Sequence, residues 1–226
     1  MRPALHAEWT KARTVAGPLW LLLGTIAATV ALSAGAVSVA RCPCGDMAEV
    51  SLIGVDLGQA LVVILAVLVI AGEYGTGMIR TTLTAMPHRS TVLAAKAAVL
   101  TGIVAAAGTV AVLGSLLAGR LILPGHVQPL TDGPTLRTAL AAILYLTLIA
   151  LLGLGVATAV RDSATSIGTV LGLLYVFPVL SQTIGDQHWQ RLLQRITPMP
   201  DHLGVTAAWA GAALLSGALL LHLRDA

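Results

Sequence analysis

Charge is what this sequence lacks most. Only 10% of its 226 residues are Asp, Glu, Lys or Arg, against 57% hydrophobic residues, whereas a water-soluble domain carries about 25% charged residues. So little charge cannot solvate a surface of this size, so most of that surface must face lipid. Lysine is scarcer still: Lys11 and Lys96 are the only two. A nucleotide-binding P-loop needs Gly-x-x-x-x-Gly-Lys-Ser/Thr, and these lysines follow Thr10 and Ala95. The chain therefore carries no P-loop, and any ATP hydrolysis must come from another subunit. Aromatics make up 4% and the net charge is only +3. No basic stripe with interleaved aromatics suggests nucleic acid.

Other chemistries are missing as well. The motif of an intramembrane serine protease, Gly-x-Ser-Gly, fails at Ser216-Gly217, where Leu214 stands in place of the first glycine. His-Glu-x-x-His is absent, and the six histidines fall in flanks or loops. Proton-coupled transporters usually carry paired ionisable groups in mid-membrane, and no such pair is evident. The two cysteines, Cys42 and Cys44, flank Pro43 and build no disulfide framework. Pairing with each other would close a strained small ring. Plain loop thiols, a disulfide to another chain and metal contact all stay open.

What is present is a set of long apolar runs. Residues 17–40 contain no charge and would extend about 36 Å as a helix, enough to cross a bilayer with some tilt. A signal peptide has an apolar core of only about 7–15 residues, and Arg41 before Cys42 spoils a lipoprotein site, so this run is expected to be a retained span. Five more spans are expected at about 50–72, 97–117, 138–160, 164–180 and 203–221. The predicted fold is an all-α membrane protein with six transmembrane helices in a single domain, 1–226. Residues 1–16, basic at Arg2, Lys11 and Arg13, read as an interfacial helix or as a positively charged flank. Leu5 and Trp9 share one side of it, with Glu8 and Lys11 elsewhere, and Gly17-Pro18 should break it from the first span. Residues 181–202 are polar, with Trp189, Leu192, Leu193 and Ile196 at helical spacing, and are expected to lie on the outer surface.

Six spans put both termini on one side of the membrane. Arg2, Lys11, Arg13, Arg80, Arg89, Lys96, Arg161 and Arg224 then fall inside, and Arg41, Arg120, Arg137, Arg191 and Arg195 outside. The excess favours cytoplasmic termini, and the composition, with Arg outnumbering Lys 11 to 2 and Ala, Leu, Gly and Val dominant, suits a GC-rich bacterial genome and so a bacterial plasma membrane. Asp56 is the only acid inside an apolar run. Asp56 and Gln59 lie one turn apart in the outer third of the second span, as a possible translocation path. Contact with cargo and the lining of a wet vestibule are both open for Asp56. Gly168 and Gly172 form a GxxxG, for which packing within the chain is the expected use.

The organising stretch runs from Gly72 to Arg89, between the second and third spans. Glycines should break the chain after Gly72, a short helix-compatible run follows from Met78 to Ala85, and Pro87 should end it. Arg80, His88, Arg89 and Lys96 make its later half basic. Such a segment, 73–96, is suited to lie on the cytoplasmic face and to be gripped by a soluble partner. Glu73 should pair with a basic residue at the inner end of a span, or take part in gating.

These residues resemble the membrane permease subunits of type-2, exporter-class ABC transporters, particularly the short actinobacterial kind. The resemblance is carried by Ala7-Glu8-Trp9-Thr10-Lys11, by Gly72-Glu73-Tyr74-Gly75-Thr76-Gly77-Met78-Ile79-Arg80 with Thr82-Leu83, by Pro87-x-Arg89, by Leu93-Ala94-Ala95-Lys96 and by Gly153-x-Gly155. It implies an N-terminal interfacial helix and a cytoplasmic coupling helix between spans two and three. It further implies two permease subunits, as a homo- or heterodimer, each resting on an ABC ATP-binding subunit. Glu73, Tyr74, Thr76, Arg80, Thr84, Pro87 and Arg89 would then form the inner gate and the ATPase-coupling segment. The chain itself would be no enzyme and hold no cofactor, with ATP and Mg on the partner. A hydrophobic or amphipathic cargo would move outward. The competing expectation is a membrane scaffold or assembly protein whose basic stretch binds a soluble partner other than an ATPase.

Overall fold

The computed structural model describes residues 2–14, 16–39, 50, 52–75, 77, 89–122, 133–183 and 187–224. Among them all regular structure is helical. In chain order the helices are α1 (Arg2–Thr14), α2 (Ala16–Val39), α3 (Gly54–Gly75), α4 (Arg89–Ile122), α5 (Gly133–Val160), α6 (Ser163–Leu171), α7 (Phe177–Thr183), α8 (Gln187–Ile196) and α9 (Leu203–Arg224). A π-helical turn, Gly172–Val176, joins α6 to α7, so the two form one continuous rod. Among the described residues six helical stretches are long and apolar enough to cross a membrane: Gly17–Val39, Gly54–Gly75, Ser90–Ile122, Gly133–Val160, Ser163–Ser181 and Pro200–Leu221. The chain is thus an all-α, multi-pass membrane protein.

Helices α2, α3, α5 and α4 form a ring of neighbours, in which α3 and α4 meet only weakly across the diagonal. Helices α3 and α5 carry the core, through Val63, Ala66 and Val67 on one and Leu146, Ile149 and Leu154 on the other. α9 packs along α5, and α6 lies against both α3 and α5. Lipid tails are as apolar as leucine, so close approach and dispersion hold such helices together. Gly155 shows how close the approach is: a Cβ there would sit 2.5 Å from the Ala213 backbone of α9. The GxxxG at Gly168 and Gly172 behaves differently. Among the described residues a Cβ at either would meet nothing within 4 Å, so no described neighbour uses these glycines for close packing.

One expected break lies inside a helix. Helix α3 passes through Gly72 and ends at Gly75, because an interior glycine costs only about 1 kcal/mol and the tertiary contacts of Glu73 outweigh that. Gly17-Pro18 lies in the first turn of α2 and Pro134 in the first turn of α5, positions where proline removes no needed donor. At the other end of the segment 73–96, α4 begins at Arg89. Residues 89–96 are therefore the first two turns of a helix 34 residues long, not part of a connecting loop.

The rod of α6 and α7 has a physical reason for its wide turn. Pro178 has no N–H, and its ring would crowd the carbonyl four residues earlier. The turn just before it opens to π geometry, with the Phe177 N–H bonded to the Gly172 carbonyl.

Candidate coupling site

One end of the bundle gathers four charges from three helices. On α1, Glu8 and Lys11 are three residues apart and share a face, with Lys11 Nζ 3.3 Å from Glu8 Oε1. Glu73 sits in the last turn of α3, and Lys96 lies two turns into α4. Lys96 Nζ donates to Glu73 Oε1 at 2.6 Å and to Glu8 Oε2 at 2.8 Å. Lys11 Nζ donates to Glu73 Oε1 at 2.9 Å. Glu8 and Glu73 are buried, and Lys96 is only 1% exposed. An ammonium at that depth is tolerable only because two carboxylates flank it, since an uncompensated buried charge costs several kcal/mol. Two acids and two lysines leave the group neutral.

The amphipathic helix α1 thus docks through its charged face, while Trp9 is 46% exposed and carries the Arg13 guanidinium 5.9 Å above its ring. Glu73 pairs with basic residues, as expected, and those residues are Lys96 and Lys11. Sequence reasoning singled out neither Glu8 nor the two lysines as site residues. A signal was present: both lysines of the chain and two of its three glutamates, Glu8 and Glu73, meet here.

Glu73 and Lys96 also bracket the segment between spans two and three. Their ion pair ties the end of α3 to the first turns of α4, so the two ends of the intervening segment are held together. A second contact joins the same end of α3 to the α5–α6 hairpin: Arg161 lies over the Tyr74 ring at 5.3 Å. Arg161 closes α5 with a left-handed residue, φ 65°, and Asp162 caps α6 by accepting from the Thr165 N–H at 2.7 Å. The Thr165 hydroxyl and then its N–H hold the Asp162 carboxyl below the ordinary range. The compact Arg161-Asp162-Ser163 turn of the sequence is therefore a capped hairpin.

Burial works against the charge of Lys11, but the carboxylates of Glu73 and Glu8 together outweigh it and raise its pKa above the usual 10.5. A raised folded-state value means that the contribution of Lys11 is complete below about 10.5 and is lost as pH rises through that higher value. Helix α1 is therefore expected to stay docked from pH 7 to 10 and to loosen only above the ordinary lysine range. Hydrogen exchange of α1 amides, corrected for intrinsic rate, measures this, and loosening between pH 7 and 9 would contradict it.

The other candidate residues fall elsewhere. Thr76, Arg80, Thr84 and Pro87 lie outside the described residues, as do His88, Cys42 and Cys44. Arg89 opens α4, with its side chain outside the description. Asp56 and Gln59 lie at the opposite end of the bundle and part company there. Asp56 lines a cavity of about 960 Å³ with Arg137 and Asp201, between the starts of α3, α5 and α9. Gln59 turns inward and accepts from the Tyr145 hydroxyl at 2.5 Å. The Tyr175 hydroxyl, from the π turn, donates to the Asp56 backbone carbonyl and so fastens the rod of α6 and α7 to α3.

A protein-family model described as "ABC-2 family transporter protein" matches residues 51–207. None of the curated proteins matches the sequence.

Proposed function

The chain belongs to the ABC-2 transporter family and is a membrane permease, and from that premise we propose that it moves a hydrophobic or amphipathic cargo outward, powered by a separate ATP-binding subunit. ATP and Mg bind that partner. A second permease subunit completes the transporter, and both termini face the cytoplasm of a bacterial cell. The observation that carries this reading is the ion-pair clamp between the end of α3 and the start of α4. Force applied to the residues between Glu73 and Lys96 reaches α1, α3 and α4 together, because the ion pairs join all three helices. Through Tyr74 and Arg161 it also reaches the hairpin of α5 and α6. Arg80 and Arg89, both between Glu73 and Lys96 in sequence, supply the cationic contacts to the ATPase, while Glu73 and Tyr74 transmit its movement. The absence of charge from the middle of the spans favours an apolar cargo, and Asp56 lies on its exit path.

The test is co-purification in detergent with the ATP-binding subunit encoded alongside, comparing wild type with Arg80→Glu plus Arg89→Glu. The wild-type complex should form and hydrolyse ATP, and the double reversal should reduce ATPase recovery at least tenfold while the permease stays monodisperse. Capture that the reversal leaves unchanged, or no capture at all, would favour the scaffold function instead.

A further inference from the structure

The diagonal gap between α3 and α4 leaves a cavity of about 280 Å³ directly beneath the charged quartet. Pro18 and Leu22 of α2, Leu65 and Leu68 of α3, and Leu100 and Ile103 of α4 wall it, and Glu8, Lys11, Glu73 and Lys96 close one end. We propose that this cavity seats one acyl chain of a phospholipid from the leaflet beside α1, with the phosphate on Lys11.

Depth argues for this occupant. From Glu73 to Leu65 the cavity follows eight residues of α3, about 12 Å at helical rise, where half of the hydrocarbon core is about 15 Å. The charges therefore sit at headgroup level and the apolar walls at tail level. Volume agrees: about 280 Å³ holds roughly nine groups of water size at about 30 Å³ each, close to the bulk of a chain of that many methylenes. Water is a poor occupant, since apolar cavities stay dry, and an empty one forfeits dispersion contacts. Charge also agrees. Lys96 is shut in at 1% exposure, whereas the Lys11 side chain is 36% exposed and can reach a phosphate at the cavity rim without leaving its carboxylates. Gly72 forms part of the wall, and a Cβ there would meet nothing within 4 Å, so the wall is open at that point.

The experiment uses the full chain alone, reconstituted in vesicles containing a phosphatidylglycerol with a photoactivatable diazirine on one acyl chain. Adducts are mapped by mass spectrometry. Val69 and Ile103 are the reporting positions, because both line the cavity and are only half-buried. Adducts are expected on both. Gly72→Leu, which fills the mouth of the cavity, should reduce them at least fivefold while labelling of the outward-facing Leu113 and Leu117 stays constant. Lys11→Gln should reduce them two- to fivefold. Wild-type protein without adducts at Val69 and Ile103, or adducts that survive both substitutions, would overturn the proposal. No ATPase is present in the assay, so its outcome is independent of the transport reading.

Discussion

Replacing Lys96 with Met is expected to remove about 3–5 kcal/mol of stability, the usual cost of breaking a buried ion pair from one side. The volume changes little, so the loss is electrostatic. Without the ammonium, Glu8 and Glu73 share only Lys11, which is partly exposed and 3.3 Å from Glu8. A net negative charge then remains at a site built to be neutral. For a chain of this length 1 kcal/mol corresponds to about 2–4 °C, so thermal unfolding in detergent should fall by roughly 6–20 °C. Because Lys96 holds both α1 and α3, protease access to the α1–α2 junction should rise as well. Adding Glu8→Gln restores neutrality and leaves the pair of Lys11 and Glu73 intact, so the double variant should recover most of the loss. A single variant that melts within 1 °C of wild type would show that the quartet does not hold these helices together.

The same quartet marks the boundary of what the sequence could disclose. The six spans were legible because they follow from one-dimensional quantities, run length and missing charge, which the bilayer enforces. The docking face of α1 was not. Glu8 meets Lys96 across 88 positions and Glu73 meets Lys11 across 62, and no local periodicity reports such a pairing. A reading by helical face assigns charged residues outward, whereas here they turn inward because partners await them. The same physics displaced the helix ends. Gly72 is a local break signal worth about 1 kcal/mol, and packing of the flanking residues overrides it. Pro178 did act on its surroundings, but by widening the turn before it instead of ending the helix. The segment 73–96 stood out through a family resemblance carried by Glu73, Tyr74 and Arg80, and the ion pair between its described ends, Glu73 and Lys96, was not contained in that resemblance.

The second large effect is expected at the opposite end, at Tyr145. This ring is 2% exposed and its hydroxyl donates to Gln59, itself buried at 4%. The Pro198 carbonyl lies 3.5 Å from the same hydroxyl, so α3, α5 and the connection from α8 to α9 converge on one oxygen. Tyr145→Ala empties an aromatic volume in a packed core, which costs about 3–5 kcal/mol, and also removes this donor from the Gln59 carbonyl. Tyr145→Phe separates the two contributions: the ring stays and only the donor is lost, for about 1–3 kcal/mol. Combining Tyr145→Phe with Gln59→Leu replaces both partners by apolar groups, and such a pair can be nearly neutral. The expected order of melting temperature is therefore wild type close to the double variant, then Tyr145→Phe, then Tyr145→Ala. Gln59 lies one turn from Asp56, so the Phe variant should also loosen the floor of the cavity that Asp56, Arg137 and Asp201 line. Faster amide exchange from Val55 to Val62 would report that loosening. If Tyr145→Phe matched wild type in both melting and exchange, the hydroxyl would carry no bond of consequence, and α3 and α5 would be held at this level by packing alone.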